Sequence, residues 1–228
     1  MTNPDRIIVV GAGPVGLVCA MLLAEAGIDV LVIERGADVS DDLRASTFHP
    51  PTLDMLAPSG ITAQLIDNGL IAPTWQVRML ETDDYALFDL ALLAGETHHP
   101  YRVQCEQRNL VRFLAEKVKA AGVTFTFNTE LTGLTQDTDG VIATVNCDGE
   151  DVALSARHLI GADGASSAVR EAIAVPFEGE MYPEATVLAT TSFPFEDHIA
   201  DLSYVNYCWT ARGNFAMLRI PGLGRCNL

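Results

Sequence analysis

Positive charge is scarce in this sequence. Its 228 residues include 14 Lys and Arg against 30 Asp and Glu, which gives a formal net charge of −16. A surface of that sign repels nucleic acids and anionic lipids, so we expect neither nucleic acid nor a membrane as a partner. Because 49% of the residues are hydrophobic, the chain can bury a core and does not have the composition of a disordered segment.

Metal-ligand and disulfide patterns are absent from the sequence as well. The histidines form neither an HxH nor an HExxH pattern, and no two cysteines form a CxxC pair. The cysteines are scattered and odd in number: Cys19, Cys105, Cys147, Cys208 and Cys226. We therefore predict no metal site and no disulfide framework, and we expect a cytoplasmic location, where thiols stay reduced.

The sequence also lacks a long uninterrupted hydrophobic run. The stretch from Ile7 to Gly27 comes nearest, with Glu25 as its only charged residue, but three glycines and a proline interrupt it. A signal peptide or membrane span would need a continuous apolar segment. We predict a buried strand, a turn and a helix here, and a soluble protein.

What the first 35 residues do contain is a glycine-rich turn between two strands. Ile7–Val10 is a short β-branched run, and Gly11-Ala12-Gly13-Pro14-Val15-Gly16 follows it directly. A helical pattern then ends at Gly27, and a second strand, Ile28–Ile33, closes with Glu34-Arg35. Strand, GxGxxG, helix, strand and acidic residue together are typical of a dinucleotide-binding unit.

Each residue type in this unit has a physical role. Gly11 permits the tight turn, Gly13 lets the backbone approach a pyrophosphate, and Gly16 lets the helix pack close to the strand. The N-terminus of the helix favours phosphate groups. Glu34 would accept hydrogen bonds from an adenosine ribose and would repel a 2′-phosphate, so we expect the pocket to exclude NADP. The unit alone leaves NAD and FAD open.

The remainder of the chain alternates short predicted elements. The spacing of Leu110, Leu114 and Val118 predicts a one-faced helix that ends at Gly122. Asp139-Gly140 and Asp148-Gly149 are hairpin signals. The predicted strands are Trp75–Leu80, Tyr85–Leu90, Val123–Phe127, Val141–Cys147, Val152–Leu159, Thr186–Phe193, Leu202–Trp209 and Phe215–Ile220.

A second glycine-flanked carboxylate leads to a family resemblance. Gly161-Ala162-Asp163-Gly164, followed by Ser167 and Arg170, stands at the end of a predicted strand. With the first motif, it resembles the FAD-dependent aromatic hydroxylases of the para-hydroxybenzoate hydroxylase type, the group A flavin monooxygenases. Arg44-Ala45 resembles the arginine loop of that family, which lies along the FAD pyrophosphate. Gln107 resembles its glutamine that contacts the ribityl and phosphate region.

The resemblance implies a fold and a domain arrangement. The fold is α/β, with a Rossmann-like FAD-binding domain of the glutathione-reductase type and an inserted, incomplete, mostly antiparallel β substrate domain. The implied FAD-binding domain is discontinuous, over residues 1–71 and 101–175. The implied substrate domain, which we interpret as truncated, covers residues 72–100 and 176–228, so the resemblance covers only the N-terminal portion of the family.

The resemblance also implies an activity. An FAD-dependent monooxygenase would hydroxylate a phenolic or related small aromatic substrate with NADH or NADPH and O₂, by way of a flavin C4a-hydroperoxide. Asp163 is additionally linked in the family to the use of pyridine nucleotide. A homo-oligomer is left open, and no catalytic residue is assigned. The cofactor-binding residues so implied are Gly11, Gly13, Pro14, Gly16, Glu34, Arg35, Arg44, Gln107 and Asp163.

Two alternatives stay open at this stage. The family carries a third motif, a Gly-Asp-Ala-like stretch, that these residues do not contain, so the chain could be a truncated FAD-binding fragment without turnover. Another flavoprotein oxidoreductase on the same scaffold, a halogenase, epoxidase or reductase, is the second alternative. For His98-His99-Pro100 we predict an exposed loop, with an active-site role as the alternative reading.

Overall fold

The computed structural model describes residues 5–41, 45–183 and 185–227. Its backbone separates into two compact units. The first unit comprises Met1–Asp42 and Leu110–Glu180, and the second comprises Leu43–Asn109 and Met181–Leu228. Strands and helices are numbered below in chain order.

The first unit contains a parallel sheet of four strands in the order β12-β1-β2-β8. Alternating elements with parallel strands make this a mixed α/β fold, as we predicted. Its elements are β1 (Ile7–Val10), α1 (Pro14–Glu25), β2 (Val30–Ile33), most of α4 (Gln107–Ala120), β8 (Thr124–Thr126), β9 (Thr129–Gln136), β10 (Val141–Cys147), β11 (Glu150–Ala156), β12 (His158–Gly161) and α5 (Ala168–Ala172).

One apolar layer joins this sheet to a smaller antiparallel one. Strands β9, β10 and β11 form a three-stranded sheet in the order β11-β10-β9. Ile8 and Ile33 of the parallel sheet share a buried cluster with Val141, Ala143 and Val145 of β10. Strands β1 and β2 are continuously apolar, as expected for strands that are covered on both faces. Helix α1 also contacts both strands.

The hairpin between β10 and β11 follows the predicted turn. Asp148 and Gly149 both have positive φ, 51° and 91°, as a two-residue turn of the I′ type demands. The predicted single strand Val152–Leu159 is wrong, however. The chain forms β11, which pairs with β10, and then β12, which pairs with β1 in the parallel sheet. The switch falls at Arg157, whose N–H donates to the carbonyl of Arg6.

The second unit is built on a six-stranded, mostly antiparallel sheet in the order β13-β16-β15-β14-β5-β6. A further three-stranded sheet has the order β3-β7-β4. Its elements are β3 (Thr47–Phe48), α2 (Pro50–Leu56), α3 (Ile61–Asp67), β4 (Leu70–Ala72), β5 (Thr74–Met79), β6 (Tyr85–Asp89), β7 (Arg102–Gln104), β13 (Leu188–Thr191), β14 (Val205–Thr210), β15 (Gly213–Ile220) and β16 (Leu223–Asn227), with 3₁₀ turns at Leu90–Leu93 and Phe195–Asp197.

The strands predicted in this unit are confirmed, with ends that move by a few residues. β16 was missed, because Gly222 and Gly224 lower the strand propensity of the segment that contains it. Strand β6 lies at an edge of the large sheet, and all five of its residues are exposed. Within the part of the chain that the structure describes, no helix is long and apolar enough to cross a membrane.

The two compact units and the predicted domains do not have the same boundaries. The predicted FAD-binding segments 1–71 and 101–175 extend into the second unit at residues 43–71 and 101–109. The units reflect backbone contacts and do not test which residues bind a cofactor. The domain assignment therefore stays a prediction.

Helix α4 offers a test of the core of the first unit. Leu114 is fully buried on the predicted apolar face. We expect Leu114→Ala to lower the free energy of unfolding by about 2–5 kcal/mol, through lost burial and the cavity that it leaves. The exposed neighbour Glu116→Ala should change it by less than about 0.5 kcal/mol. Urea unfolding monitored by circular dichroism measures both, and equal midpoints would contradict the assigned faces.

Candidate functional site

A cleft of about 530 Å³ opens in the first unit at the carboxyl ends of β1 and β2. In parallel α/β sheets this edge is the usual place for a ligand. Residues of both glycine motifs line the cleft: Gly11, Gly13, Pro14, Glu34, Arg35, Asp163 and Gly164. The structure thus brings together two motifs that lie far apart in the sequence.

The three glycines of the first motif have distinct surroundings. Gly11 has a φ of 103°, and a Cβ there would come within 2.5 Å of the Ala162 carbonyl oxygen. A Cβ at Gly16 would overlap the carbonyl oxygen of Gly11. At Gly13, by contrast, a Cβ would meet nothing within 4 Å. Gly11 and Gly16 are therefore required by packing, whereas Gly13 leaves open space on the cleft side of the turn.

Helix α1 begins at this turn and presents unpaired donors. Gly13 is its N-cap and has no side chain to cap the first turn, and Pro14 is the first helical residue. The first-turn N–H groups of an α-helix have no partner within the helix. They also lie at the positive end of the helix dipole. With no acidic residue in that turn, the site is suited to an anionic group such as a phosphate.

Glu34 fixes the loop around the cleft as well as lining it. Its Oε2 accepts from the Ala12 N–H at 2.7 Å, and its Oε1 accepts from the Gly36 N–H at 2.8 Å. Each carboxylate oxygen retains acceptor capacity for a further donor. The sequence pattern predicted only the ligand-facing role, and the two backbone contacts become visible in the structure alone.

Asp163 is held rigidly at the start of α5. The Ser167 hydroxyl donates to Asp163 Oδ1 at 2.6 Å, and the Val169 N–H donates to Oδ2 at 3.1 Å. Ser167 itself caps α5 by accepting from the Arg170 N–H at 3.0 Å. Because Ala162 packs on Gly11, this arrangement ties the second motif to the first.

The other predicted residues are placed as follows. Arg35 is exposed at the cleft. Gln107 is the first residue of α4 and belongs to the second unit, where its N–H donates to the Ala45 carbonyl at 3.1 Å. Arg44 lies outside the described residues. Gln107 therefore lies beside the residue that follows Arg44.

Some lining residues were not anticipated. Thr129, Glu130 and Leu131 of β9 line the cleft, but the mixed polarity of that strand gave no strand signal. Among the described residues, no group of three His, Cys, Asp or Glu side chains is placed to hold a metal ion.

The loop at His98-His99-Pro100, which we predicted to be exposed, is held by side-chain hydrogen bonds to Asp54. His99 Nδ1 lies 2.6 Å from Asp54 Oδ1, and the Thr97 hydroxyl donates to Asp54 Oδ2. These hydrogen bonds, from Thr97 and then His99, hold the pKa of Asp54 below its ordinary value. His99 therefore anchors the loop to α2 within the second unit.

Comparison with known proteins identifies the family. The family described as "FAD binding domain" matches residues 5–223. The chain belongs to this family. Similar proteins include 6-hydroxy-3-succinoylpyridine 3-monooxygenase of Pseudomonas putida, 33% identical over 198 residues, and pentachlorophenol 4-monooxygenase of Sphingobium chlorophenolicum, 31% identical over 222 residues. The crystal structure of p-nitrophenol 4-monooxygenase from Pseudomonas putida superimposes with a TM-score of 0.92 at 27% identity.

These matches confirm the resemblance to FAD-dependent aromatic hydroxylases. They cover different shares of the proteins compared. The two relatives match 86% and 95% of this chain but only 50% and 40% of their own lengths. The crystal structure covers all of this chain and 58% of its own. The chain thus spans about half the length of the curated relatives it matches.

The glycine surroundings predict an ordered effect on stability. We expect Gly11→Ala and Gly16→Ala each to lower the free energy of unfolding by about 2 kcal/mol or more, because backbone atoms occupy the space of the new methyl group. Gly13→Ala should leave it unchanged or raise it slightly, since its φ of −76° suits alanine. Thermal unfolding without ligand measures this, and equal losses at all three glycines would contradict it.

Ser167 gives a second test. Its side chain is buried and makes two hydrogen bonds at the α5 cap. Ser167→Ala removes both and should cost about 1–2 kcal/mol of stability. The exposed neighbour Ser166→Ala is the matched control and should be neutral. A neutral Ser167→Ala in chemical denaturation would show that Asp163 is not held in this way.

Proposed function

We propose that the chain is an FAD-dependent monooxygenase that hydroxylates a phenolic or related small aromatic substrate with NADH or NADPH and O₂. We further propose a Rossmann-like FAD-binding domain of the glutathione-reductase type over residues 1–71 and 101–175, with an inserted, mostly antiparallel β substrate domain over residues 72–100 and 176–228. The observation that carries the proposal is the cleft in which the two glycine motifs meet. A cytoplasmic location is part of the same proposal.

The glycine surroundings fit a pyrophosphate-containing cofactor. A Cβ would be blocked at Gly11 and Gly16 but would enter open space at Gly13. That is the arrangement in which a backbone can approach a diphosphate. A nucleotide that contains a diphosphate would use all of these features together.

We assign the cofactor-binding roles as follows. Gly11, Gly13 and Pro14 with the α1 N-terminus would hold the pyrophosphate, and Gly16 would let α1 pack close enough for this. Glu34 would accept from the adenosine ribose while Arg35 flanks it. Asp163 would face the cofactor from the second motif, and we also assign Arg44 and Gln107 to cofactor binding, as the resemblance implies. The negative charge of Glu34 disfavours a 2′-phosphate at this position. The choice between NADH and NADPH as co-substrate is separate, because Glu34 would contact FAD.

When bound, FAD supplies the redox and oxygen chemistry, which leaves the chain to bind, orient and exclude water. Ser167 and the Val169 N–H hold the Asp163 carboxylate in place, because both donate a hydrogen bond to it. The Ala12 and Gly36 N–H groups do the same for Glu34. The chain's own residues thus present fixed acceptors to the cofactor.

FAD binding by this chain tests the first half of the proposal. Titration of the purified chain with FAD, followed by flavin fluorescence, should give saturable binding. Gly13→Ala should weaken it by about tenfold or more, because the methyl group would occupy the space of the phosphate, without loss of stability. Gly95→Ala, at an exposed glycine that also has nothing within 4 Å of a Cβ, is the control and should bind normally. Absence of saturable binding would refute this half.

Turnover tests the second half. NADH or NADPH oxidation stimulated by a phenol, with matching formation of hydroxylated product, is the expected result for a complete monooxygenase. FAD binding without any coupled turnover would instead favour the fragment alternative for these 228 residues. Halide-dependent product formation would favour a halogenase. We prefer the monooxygenase because the relatives above carry that activity in their names.

A further inference from the structure

A buried arginine and a partly buried glutamate join strand β16 to the start of helix α4. Arg225 Nη2 donates to Glu106 Oε1 at 2.5 Å, and the Arg225 side chain is only 1% exposed. Arg108 Nη2 lies 2.5 Å from the other carboxylate oxygen, Oε2. Both oxygens of Glu106 are therefore engaged at the residue immediately before Gln107.

Of the two arginines, Arg225 is the one that can fix Glu106 in place. It stands on β16 between two paired strands, opposite Leu218 of β15 and Thr190 of β13. Arg108 is two residues from Glu106 and is 34% exposed, so it moves with the segment that it contacts. Arg225 therefore gives Glu106 a side-chain contact with the large sheet that Arg108 cannot supply.

The segment around Glu106 includes Gln107, which we assign to the cofactor site. The Cys105 N–H donates to the Ser46 carbonyl at 2.9 Å, and the Gln107 N–H donates to the Ala45 carbonyl at 3.1 Å. Ala45 has a φ of 54°, an unfavourable conformation for alanine that persists only where the surroundings impose it. Gln107 and the residue after Arg44 are thus fixed to each other beside the ion pair.

Stability alone does not explain the ion pair between Arg225 and Glu106. Desolvation of the two charges offsets most of their attraction, and apolar residues of similar volume often stabilise a fold equally well. What such a pair does supply is a directed, charge-assisted contact with a defined geometry. That property matters most where a neighbouring side chain must be placed accurately.

We propose that Arg225 is a positioning residue for cofactor binding. Through Glu106 it fixes the first turn of α4 and Ala45, and thereby the placement of Gln107 for FAD. This inference rests on the proposed function. The nearest alternative is that the pair only stabilises the second unit, and the two roles predict different results.

Arg225→Met is the direct test, with two measurements on the whole chain. Hydrogen exchange of the Gln107 amide, measured without FAD and under folded conditions, should accelerate about tenfold or more because its bond to Ala45 opens more often. The Kd for FAD should rise by about tenfold or more. Unchanged exchange or an unchanged Kd in the folded variant would overturn the proposal.

Arg78→Met is the matched control. Arg78 is also 1% exposed and paired with a carboxylate, that of Asp83, but it stands on β5. Its loss should lower stability while leaving both the Gln107 exchange rate and the FAD Kd as in the wild type. If Arg78→Met moved both as much as Arg225→Met, general loosening of the unit would explain the result and positioning would be refuted.

The double variant Glu106→Leu with Arg225→Met separates positioning from stability. Two apolar residues should restore the thermal stability, whereas the FAD Kd should remain raised. A stable double variant with wild-type affinity would overturn the proposal. Should the wild-type chain bind no FAD, the proposed function fails, and the exchange of the Gln107 amide still decides whether Arg225 holds Gln107.

Discussion

The first unit depends on one close backbone approach, that of Gly11 to Ala162. No side chain fits between them, so the turn after β1 and the segment after β12 must pack as bare backbone. This contact sets how near α1 can come, and it carries Asp163 to the same cleft as Glu34. Replacing either segment without the other would separate the two motifs.

Contiguous features were predictable from the sequence, and long-range ones were not. The turn from β1 to α1 is encoded by Gly11 and Gly16, where backbone atoms leave no room for a side chain, so a short window suffices. The run over residues 152–159 is continuously strand-like, and only the partners of β11 and β12, in different sheets, divide it. For β9 the reason is similar, since pairing with β10 and not apolar alternation makes it a strand.

In the candidate site, too, local features were predictable from the sequence and long-range contacts were not. Gly11, Gly13 and Gly16 could be assigned roles from spacing, because those roles are local. The backbone contacts of Glu34, the Ser167 contact with Asp163 and the Arg225 contact with Glu106 require the folded chain. For Glu34 and Asp163 the carboxylate was predicted from the sequence, whereas the hydrogen bonds that orient it were not; Glu106 was not predicted. Partner choice is set by geometry, which residue type alone does not determine.

The net negative charge of the chain also affects the exposed edge strand β6. Its outer backbone groups face no neighbouring strand of the described sheet, and an open edge is a template for pairing with another polypeptide. At a net charge of −16, two copies repel one another before such edges can meet. Dissolved salt shortens the range of that repulsion. The charge of the chain therefore opposes pairing at this edge most strongly at low ionic strength.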